Sequence, residues 1–248
     1  MTDPQPYIDE AYQRLRDQYI EVSELAGSLA HEIKNPLSVI CMNMDLLAED
    51  LDGAQSQRER RILNKIRIVQ NQCGRLQTLL DDFLRFIRIH KIDLKAGNLN
   101  EQIQRVLDFI RPMAEEANVE IHRYLDPDLP SILIDAPRLY AALLNLVINA
   151  VEAFAPEGGS IWVHTRQTST GVLLDLIDNA DGMDQEHLLH VFEPFYTTKE
   201  NGSGLGLPTA RRIIESHGGR IAVRSETERG TAFTLEFPMP ARLTAEEE

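Results

Sequence analysis

A histidine in the middle of a predicted helix is the first residue that could do chemistry. His31 lies two residues from both Leu29 and Ile33, which belong to an apolar stripe. At about 100° per residue, this spacing turns His31 away from the stripe and toward solvent. An exposed imidazole can act as a nucleophile, with Glu32 to orient the ring or accept its proton and Asn35 to position a water molecule. Together they predict a reactive histidine with two polar assistants.

The rest of the run HEIKNPL distinguishes this histidine from an ordinary surface residue, which a lone histidine would be. Pro36 lies inside the helix, where it removes a backbone hydrogen bond and clashes with the preceding turn, so we expect a kink at this point. The run also departs from the zinc-protease helix, which needs a second histidine at position 35, where this chain has Asn35. We therefore exclude a zinc hydrolase.

Three weaker signals follow in the second half of the sequence. Asn145 and Asn149 are four residues apart on one face of a predicted helix, where amide oxygens can bind a hard cation such as Mg²⁺. Asp178 follows an apolar strand and could accept a hydrogen bond from an exocyclic amine. Lys199 closes the aromatic run FEPFYTTK and could reach phosphate oxygens. Taken singly, such residues are more often helix caps, surface groups or loop packing.

A glycine-rich turn precedes the last predicted helix. It comprises Gly202, Ser203, Gly204, Leu205, Gly206 and Leu207, and Pro208 follows as a first-turn residue of the helix. A turn of this kind presents unpaired N–H groups and the positive end of a helix dipole, which suits a polyphosphate. It is not a Walker loop, because it lacks Gly-Lys-Ser/Thr, and it is not a dinucleotide fingerprint, because no strand precedes it.

Two long helices are expected to hold His31. Apolar residues recur at spacings of three and four in the first helix and at a seven-residue repeat in the second. The first stripe comprises Leu25, Leu29, Ile33, Leu37, Ile40, Met44, Leu47 and Leu51, and the second comprises Ile62, Ile66, Val69, Cys73, Leu76, Leu80, Phe83 and Ile87. Asp52-Gly53-Ala54 breaks the pattern and lets the chain reverse, which predicts a helical hairpin. The hairpin leaves apolar flanks uncovered, so we expect two chains to pair into a four-helix bundle; packing on the rest of the same chain is the alternative.

A second domain is predicted after a polar link at residues 93–98. Its elements are helices at 100–117, at 139–153 and one ending at 216, and strands at 119–124, 132–134, 161–167, 172–177, 220–225 and 231–237. These elements predict a sheet covered by helices on one face. Residues 182–207 carry no regular pattern, and an irregular segment of this length in a compact domain is usually an active-site lid or a binding loop.

Length, charge and cysteine content limit the class of protein. The 248 residues suit two compact units, and we expect a helical lead-in at 1–19, a hairpin domain at 20–92, a second domain at 96–241 and an acidic tail at 242–248. The net charge of −14 argues against a nucleic-acid partner. No apolar run approaches the roughly 20 residues that span a bilayer, and the first residues do not resemble a secretory signal, so we expect a cytoplasmic protein without membrane insertion. Cys41 and Cys73 are expected to be reduced, buried thiols.

Taken together, the five motifs resemble those of sensor histidine kinases of two-component systems, in the same order and from about residue 20 to 238. The resemblance implies an α+β architecture: a helical hairpin that forms a four-helix bundle on dimerisation, then a two-layer α/β sandwich that binds ATP, of the GHKL or Bergerat type. It implies an enzyme that uses ATP and Mg²⁺ to phosphorylate its own His31. The phosphoryl group would pass to an aspartate in the receiver domain of a response regulator, and Asn35 would place water for phosphatase activity toward that regulator.

The same resemblance gives roles to the remaining site residues. Glu32 is the general base or ring orienter, Asn145 belongs to the nucleotide site, Asn149 is the Mg²⁺ ligand, Asp178 reads adenine, Gly182 shapes the loop that follows, and Lys199 with residues 202–207 stabilises the phosphates. The family usually has glycine where this sequence has Ala180. That departure could reshape the loop and weaken nucleotide binding, and we expect it to be tolerated.

Two functions of other classes remain as alternatives. An ATP-hydrolysing clamp, of the superfamily that includes gyrase and the mismatch-repair ATPases, would use the same ATP-binding fold. Those enzymes carry a glutamate base where this chain has Asn145, and they lack the HEIKNPL hairpin. The other alternative is a non-catalytic dimeric scaffold, in which Ala180 has removed nucleotide affinity.

Overall fold

The computed structural model divides the chain into two units, with the boundary between His90 and Lys91. It describes residues 5–51, 53, 56–87, 92–154, 158–199 and 202–239, with side chains from residue 25 onward. The predicted acidic tail at 242–248, the side chains of the predicted lead-in and the break residues Asp52 and Ala54 lie outside this part. The domain bounds drawn from the sequence stay predictions.

The first unit is a hairpin of two long helices, as the apolar repeats predict. Helix α1 comprises Gln5–Asp50 and helix α2 comprises Gln57–Ile87. Ser56 caps α2, because its hydroxyl accepts the Glu59 N–H at 3.2 Å while the Glu59 carboxylate accepts the Ser56 N–H at 3.1 Å. This reciprocal pair satisfies two donors at the helix end and fixes where the second helix begins. Within the described residues, no helix has the length and hydropathy needed to cross a bilayer.

Two polar contacts fix the antiparallel register of the hairpin. Lys34 Nζ donates to Asp81 Oδ1 at 2.6 Å, and Gln70 Nε2 donates to Asp45 Oδ1 at 2.7 Å. All four side chains are partly or fully exposed to solvent, and exposed pairs of this kind contribute only about 0–1 kcal/mol. They therefore mark the register more than they stabilise it.

The helices contact each other through a face that only partly overlaps the one that the sequence predicts. The buried or half-buried residues between 27 and 48 of α1 are Gly27, Ala30, Lys34, Leu37, Cys41, Met44 and Ala48, and those between 59 and 77 of α2 are Glu59, Leu63, Ile66, Gln70, Cys73 and Gln77. Of the predicted stripes, the residues that are instead exposed are Leu25, Leu29, Ile33, Ile40 and Leu47 in α1 and Ile62, Val69 and Leu76 in α2. The prediction that these eight pack within the hairpin was wrong, because the two helices meet along a partly different strip of each surface and leave these large aliphatic side chains on the flanks.

The second unit is a mixed sheet with helices on one face. Its helices are α3 (Leu99–Glu116), α4 (Ala136–Val151), α5 (Gln185–His190) and α6 (Gly206–Ser216). Its strands are β1 (Lys95–Gly97), β2 (Val119–Tyr124), β3 (Ile132–Ile134), β4 (Gly159–Gln167), β5 (Gly171–Asp178), β6 (Arg220–Glu226) and β7 (Gly230–Pro238). Five strands pair in the order β2-β4-β5-β7-β6, parallel between β2 and β4 and antiparallel elsewhere, while β1 and β3 form a separate ribbon. The helical hairpin followed by an α/β sheet domain confirms the predicted fold class.

The core of this unit lies between the sheet and the helices α3 and α4. Apolar side chains that meet there include Ile103, Val106, Leu143, Leu146, Val163, Leu174 and Leu235. Alternate residues of β4 and β5, such as Trp162 and Asp175, lie on the other face and are half-exposed. Burial of one face is what gives β4, β5 and β7 their alternating pattern in the sequence.

Two short elements were missed from the sequence. Strand β1 lies inside the predicted polar link, and α5 lies inside the segment predicted to be irregular. Asp184 caps α5 by accepting the His187 N–H at 2.8 Å. Three and six residues are too few for a periodic pattern to show.

A buried histidine holds the start of α4 against the end of α6. His217 Nε2 accepts the Asp135 N–H at 2.9 Å, and His217 Nδ1 lies 2.7 Å from the Ile213 carbonyl oxygen. The first contact requires a lone pair on Nε2 and the second requires a proton on Nδ1, so the ring is a neutral Nδ1–H tautomer. Asp135 in turn caps α4 through the Arg138 N–H at 3.2 Å. The helix that carries the two site asparagines is therefore fixed at its first turn.

Candidate active site

The predicted nucleophile lies on the outer surface of the hairpin. His31, Glu32 and Asn35 are all exposed on α1, as the spacing of the apolar residues predicts. Ala30, beside His31, is 2% exposed and faces α2. The residue that precedes His31 is therefore packed in the seam, which holds the backbone in place while the imidazole stays accessible.

Pro36 lies within α1 without ending it, since the helix is continuous from Gln5 to Asp50. Proline has no N–H, so the carbonyl of Glu32, one turn earlier, lacks its ordinary helical donor. The missing bond falls one residue after His31. The turn that carries His31 and Glu32 is thus held by one backbone hydrogen bond fewer than the same turn of a regular helix.

Helix α4 brings the predicted asparagines against the lid and the glycine turn. Asn145 Nδ2 donates to the Gly206 carbonyl at 3.2 Å, which joins α4 to the first residue of α6. Lys199 Nζ donates to Asn149 Oδ1 at 3.0 Å. The structure therefore brings Asn145, Asn149, Lys199 and the glycine turn into one site, although the lysine and Asn149 are 50 residues apart in the sequence.

Glu152 is a site residue that sequence reasoning missed. Its Oε2 lies 2.7 Å from Lys199 Nζ, so the ammonium group bridges an amide oxygen and a carboxylate. Glu152 follows the last residue of α4 with helical backbone angles, three residues after Asn149, which places the two on the same side of the helix end. This spacing in the run NLVINAVEA was the signal that could have found it. The two oxygens form a pair that already holds one cation.

Asp178 lies at the end of β5 and is 4% exposed. Its Oδ1 accepts two backbone N–H groups, from Ala180 and from Thr231, both at 3.1 Å. Burial raises the pKa of this carboxyl, and the two backbone bonds only partly oppose the rise. Both bonds fall on one oxygen, and within the part of the chain that the structure describes no donor reaches Oδ2. That oxygen is the one left to read a ligand.

The loop after Asp178 accommodates alanine at position 180. Ala180 is buried and does not adopt a positive φ, so its Cβ brings no backbone strain. Gly182 does need to be glycine, because its φ is +69° and a Cβ would overlap the Glu226 carbonyl oxygen. The departure from the family pattern therefore falls at the position of this loop that tolerates a side chain.

A backbone hydrogen bond joins the glycine turn to the aromatic run that precedes it. The Phe195 N–H donates to the Gly204 carbonyl at 3.0 Å, and the Leu205 N–H donates to Ser203 Oγ at 3.3 Å. Gly204 has a φ of +66°, and a Cβ there would lie 2.5 Å from the Phe195 carbonyl carbon. No side chain among the described residues caps the start of α6. Pro208 has no N–H and the Thr209 N–H donates to the Leu205 carbonyl at 3.0 Å, so Gly206 and Leu207 carry the first-turn N–H groups that a ligand could use.

Two family models match the chain in the order of its motifs. The His Kinase A (phospho-acceptor) domain matches residues 21–92, and the histidine kinase-, DNA gyrase B-, and HSP90-like ATPase matches residues 134–241. The chain belongs to the histidine kinase family. In this histidine kinase, His31 lies within the first match, and every site residue from Asn145 to Leu207 lies within the second.

Relatives and solved structures agree with this family. Sporulation kinase E of Bacillus subtilis (strain 168) is 32% identical over 241 residues, which cover 96% of this chain and 31% of that protein. Full-length ShkA, solved in complex with AMPPNP, matches with a TM-score of 0.68 at 27% identity, over 88% of this chain and 46% of that one. Histidine kinase ThkA, solved in complex with the response regulator TrrA, matches with a TM-score of 0.64 at 27% identity, over 97% and 68%. The histidine kinase chain described here spans between about a third and about a half of the length of the first curated relatives it matches.

Proposed function

We propose that this chain is the catalytic core of a sensor histidine kinase. It transfers the γ-phosphoryl group of ATP to His31 and then to an aspartate in the receiver domain of a response regulator. The observation that carries the proposal is that one chain contains both an exposed histidine on a phospho-acceptor hairpin and a nucleotide-type site with a buried aspartate, a cation-holding oxygen pair and an uncapped helix start. The complexes of ShkA with AMPPNP and of ThkA with TrrA support the two substrates.

The nucleotide would be held at three points. Oδ2 of Asp178 accepts the exocyclic amine of adenine, while its Oδ1 stays bonded to the backbone. The N–H groups at the start of α6, with the glycine turn, donate to the phosphate oxygens. The Lys199 side chain is long and 38% exposed, so it has room to turn from Asn149 to a phosphate oxygen.

Asn149 would hold Mg²⁺, as the resemblance implies. Its Oδ1 and the carboxylate of Glu152 both contact the Lys199 ammonium, which is the oxygen chemistry that a hard cation prefers. When bound, Mg²⁺ neutralises charge on the terminal phosphates. The residues present therefore fit the metal, with the amide oxygen of Asn149 as the ligand and Glu152 as an acidic neighbour.

His31 performs the transfer step. A ring nitrogen attacks the γ-phosphorus in line, a nitrogen–phosphorus bond forms, the bond from the phosphorus to the bridging oxygen breaks, and ADP leaves. Glu32, adjacent in sequence and equally exposed, orients the ring or accepts the proton from its other nitrogen. In the reverse role, Asn35 positions a water molecule that hydrolyses the phosphorylated regulator.

A second copy of the chain would complete the hairpin as a homodimer. Eight large aliphatic side chains on its flanks, from Leu25 to Leu76, are 40–65% exposed in the single chain. They repeat at heptad-type spacings along both helices, which is the pattern of a bundle that buries them against two further helices. Particle mass in solution tests this directly, since a single-chain mass at micromolar concentration contradicts it. The cytoplasmic location expected from the sequence stays a prediction.

A labelling experiment tests the kinase proposal. The protein is incubated with γ-labelled ATP and Mg²⁺, and we expect an acid-labile, base-stable label on the wild type and none on His31→Gln. His122→Gln is the matched control, because His122 lies on β2 on the open face of the sheet and takes no part in the site. A labelled His31→Gln protein, or an unlabelled wild type that still binds ATP, contradicts the proposal.

A further inference from the structure

The seam of the hairpin brings two thiols together. Cys41 and Cys73 are the two cysteines of the sequence, and both are free. The Cys73 thiol is close enough across the two helices to raise the pKa of Cys41. Neither residue has a role in the proposed phosphoryl transfer, so their proximity needs another account.

The register of the hairpin supports this proximity independently. The Lys34–Asp81 pair lies seven residues before Cys41 on α1 and eight residues after Cys73 on α2. The Asp45–Gln70 pair lies four residues after Cys41 and three residues before Cys73. In antiparallel helices, positions at matching distances from two cross-helix contacts face each other. The thiols therefore occupy one layer of the seam, between two fixed contacts.

Burial agrees with this placement. Cys73 is 5% exposed and Cys41 is half-buried, and both belong to the three-and-four spaced residues that the helices bury on each other. Cys41 is thus the thiol that a small molecule reaches first, and Cys73 is the thiol waiting behind it. This is the arrangement of an attacking cysteine and a resolving cysteine.

We propose that Cys41 and Cys73 form a reversible intrachain disulfide that locks α1 to α2, with a low-molecular-weight disulfide of the glutathione type as the oxidant. The Cys41 thiolate attacks the small disulfide, forms a mixed disulfide and releases one small thiolate. The Cys73 thiolate then attacks the Cys41 sulfur and releases the second small thiolate. Two protein thiols become one disulfide, one small disulfide becomes two small thiols, and these take up the two protons.

The surroundings of Cys41 set the speed of this exchange. Burial, and then the neighbouring Cys73 thiol, raise the pKa of Cys41 above its ordinary value. A smaller fraction of thiolate is present at neutral pH, so the reaction is slow there and accelerates as the pH rises. The pair responds to a sustained change in redox conditions more than to a brief one.

The lock lies ten residues beyond His31, on the far side of Pro36. The turn between them lacks one backbone bond, which leaves α1 free to bend between the nucleophile and the thiol. A disulfide at Cys41 holds the distal part of α1 against α2 and removes that freedom. We expect the oxidised form to be phosphorylated more slowly, and this consequence rests on the proposed function.

The disulfide itself is tested without reference to kinase activity. The full chain is incubated with oxidised glutathione at mildly alkaline pH, and free thiols are then counted. We expect both thiols to be lost, tryptic peptides 35–58 and 68–75 to be joined, and the product to run as a single chain on a non-reducing gel. Cys41→Ser and Cys73→Ser are the controls, and neither gives joined peptides. A covalent dimer, a mixed disulfide that does not resolve, or two persistent free thiols overturns the proposal.

Labelling of the oxidised and reduced forms then tests the lock. We expect oxidation to slow phosphorylation of His31 by about fivefold or more, the lower end of ordinary coupling effects, and a reductant to restore the rate. A protein with both cysteines replaced by serine should not respond to the oxidant. If His31 is phosphorylated at an unchanged rate in protein whose Cys41–Cys73 disulfide is fully formed, the proposed effect of the disulfide on the kinase is wrong. A reduced wild type that binds ATP and takes no label refutes the proposed function instead, and leaves the thiol count to decide the disulfide.

Discussion

Replacement of Asp178 by asparagine should weaken adenine binding and leave the fold intact. Oδ1 accepts N–H groups from Ala180 and Thr231, both at 3.1 Å. An asparagine must keep its amide oxygen at this position, because its NH₂ group would oppose two backbone donors. The NH₂ group then takes the place of Oδ2 and points a donor at the amine of adenine, which is itself a donor. The variant is thus isosteric but has the wrong polarity toward the ligand.

The size of the effect follows from the bond that is lost. A hydrogen bond to a charged acceptor contributes about 1.5–3 kcal/mol. At about 1.4 kcal/mol per factor of ten, the Kd for ATP should rise roughly 10- to 150-fold. The unfilled donor on the variant adds to this cost, so the upper part of the range is the better guide.

Although Asp178→Asn should weaken ATP binding, it should not lower the stability of the fold at neutral pH. Burial raises the pKa of Asp178 in the folded state, so the folded protein holds this proton more tightly than the unfolded chain does. The free energy of unfolding therefore falls as the pH rises from the unfolded pKa through the folded pKa, and the loss is complete above both. Asparagine has no proton to lose. We expect Asp178→Asn to melt at or above the wild-type temperature at neutral pH, with the difference disappearing in acid.

Nucleotide titration and thermal unfolding across pH measure both effects. Asp175→Asn is the matched control, because Asp175 lies on the same strand but on the other face, where it accepts the Thr234 hydroxyl at 2.7 Å. The control should bind ATP like the wild type. An Asp178→Asn protein that is folded and binds ATP with wild-type affinity would refute the role of Oδ2, and one that fails to fold would refute the argument about Oδ1.

Three further changes probe other parts of the site. Glu152→Gln removes a half-exposed partner of Lys199, and an ion pair of this kind contributes about 0.2–1 kcal/mol. ATP titrated without Mg²⁺ should therefore bind up to about fivefold more tightly, because the lysine is released to the phosphates. Weaker binding would indicate that Glu152 contacts the ligand directly. Gly204→Ala forces a side chain onto a φ of +66° and into the lid backbone, and should cost about 1–3 kcal/mol in a thermal melt together with nucleotide affinity. Gly206→Ala is its control in the thermal melt alone, because the nearest atom to a Cβ there is 3.9 Å away, and an equal loss of stability from both changes would contradict the reasoning. Asn35→Ala should keep autophosphorylation and lose dephosphorylation of the regulator, and parallel loss of both in the labelling assay would count against separate roles.

Elements with a strong local pattern could be predicted from the sequence, and short ones could not. Strands β2 and β3 fall at the predicted residues, because turn residues bound the mixed run VEIHRY and the apolar run ILI. Strand β1 pairs with β3, from Lys95↔Ile134 to Gly97↔Ile132, and nothing in its three residues indicates that partner. Its identity as a strand comes from a segment almost forty residues later, which local periodicity does not contain.

The site divides in the same way. Motif order led to the choice of candidate residues, because each motif lies in or beside an element whose pattern is local. The contacts among them are not local: Asn145 reaches Gly206 across 61 residues, and Lys199 reaches Glu152 across 47. Glu152 was overlooked for this reason, since its partner becomes visible only when the lid is folded over α4.

The hairpin explains why a correct repeat led to a wrong contact. A heptad repeat fixes the period of a bundle seam, and it does not state which of two adjacent flanks faces the helix of the same chain. Here the small residues Gly27, Ala30 and Ala48 lie in the intrachain seam, and large residues such as Leu29 and Ile33 stay outside it. Because α1 meets α2 partly through these small side chains, part of the aliphatic surface stays exposed, and the proposed dimer would bury it. The exposed stripe residues that contradict the sequence interpretation are therefore also the structural observation that supports the proposed dimer.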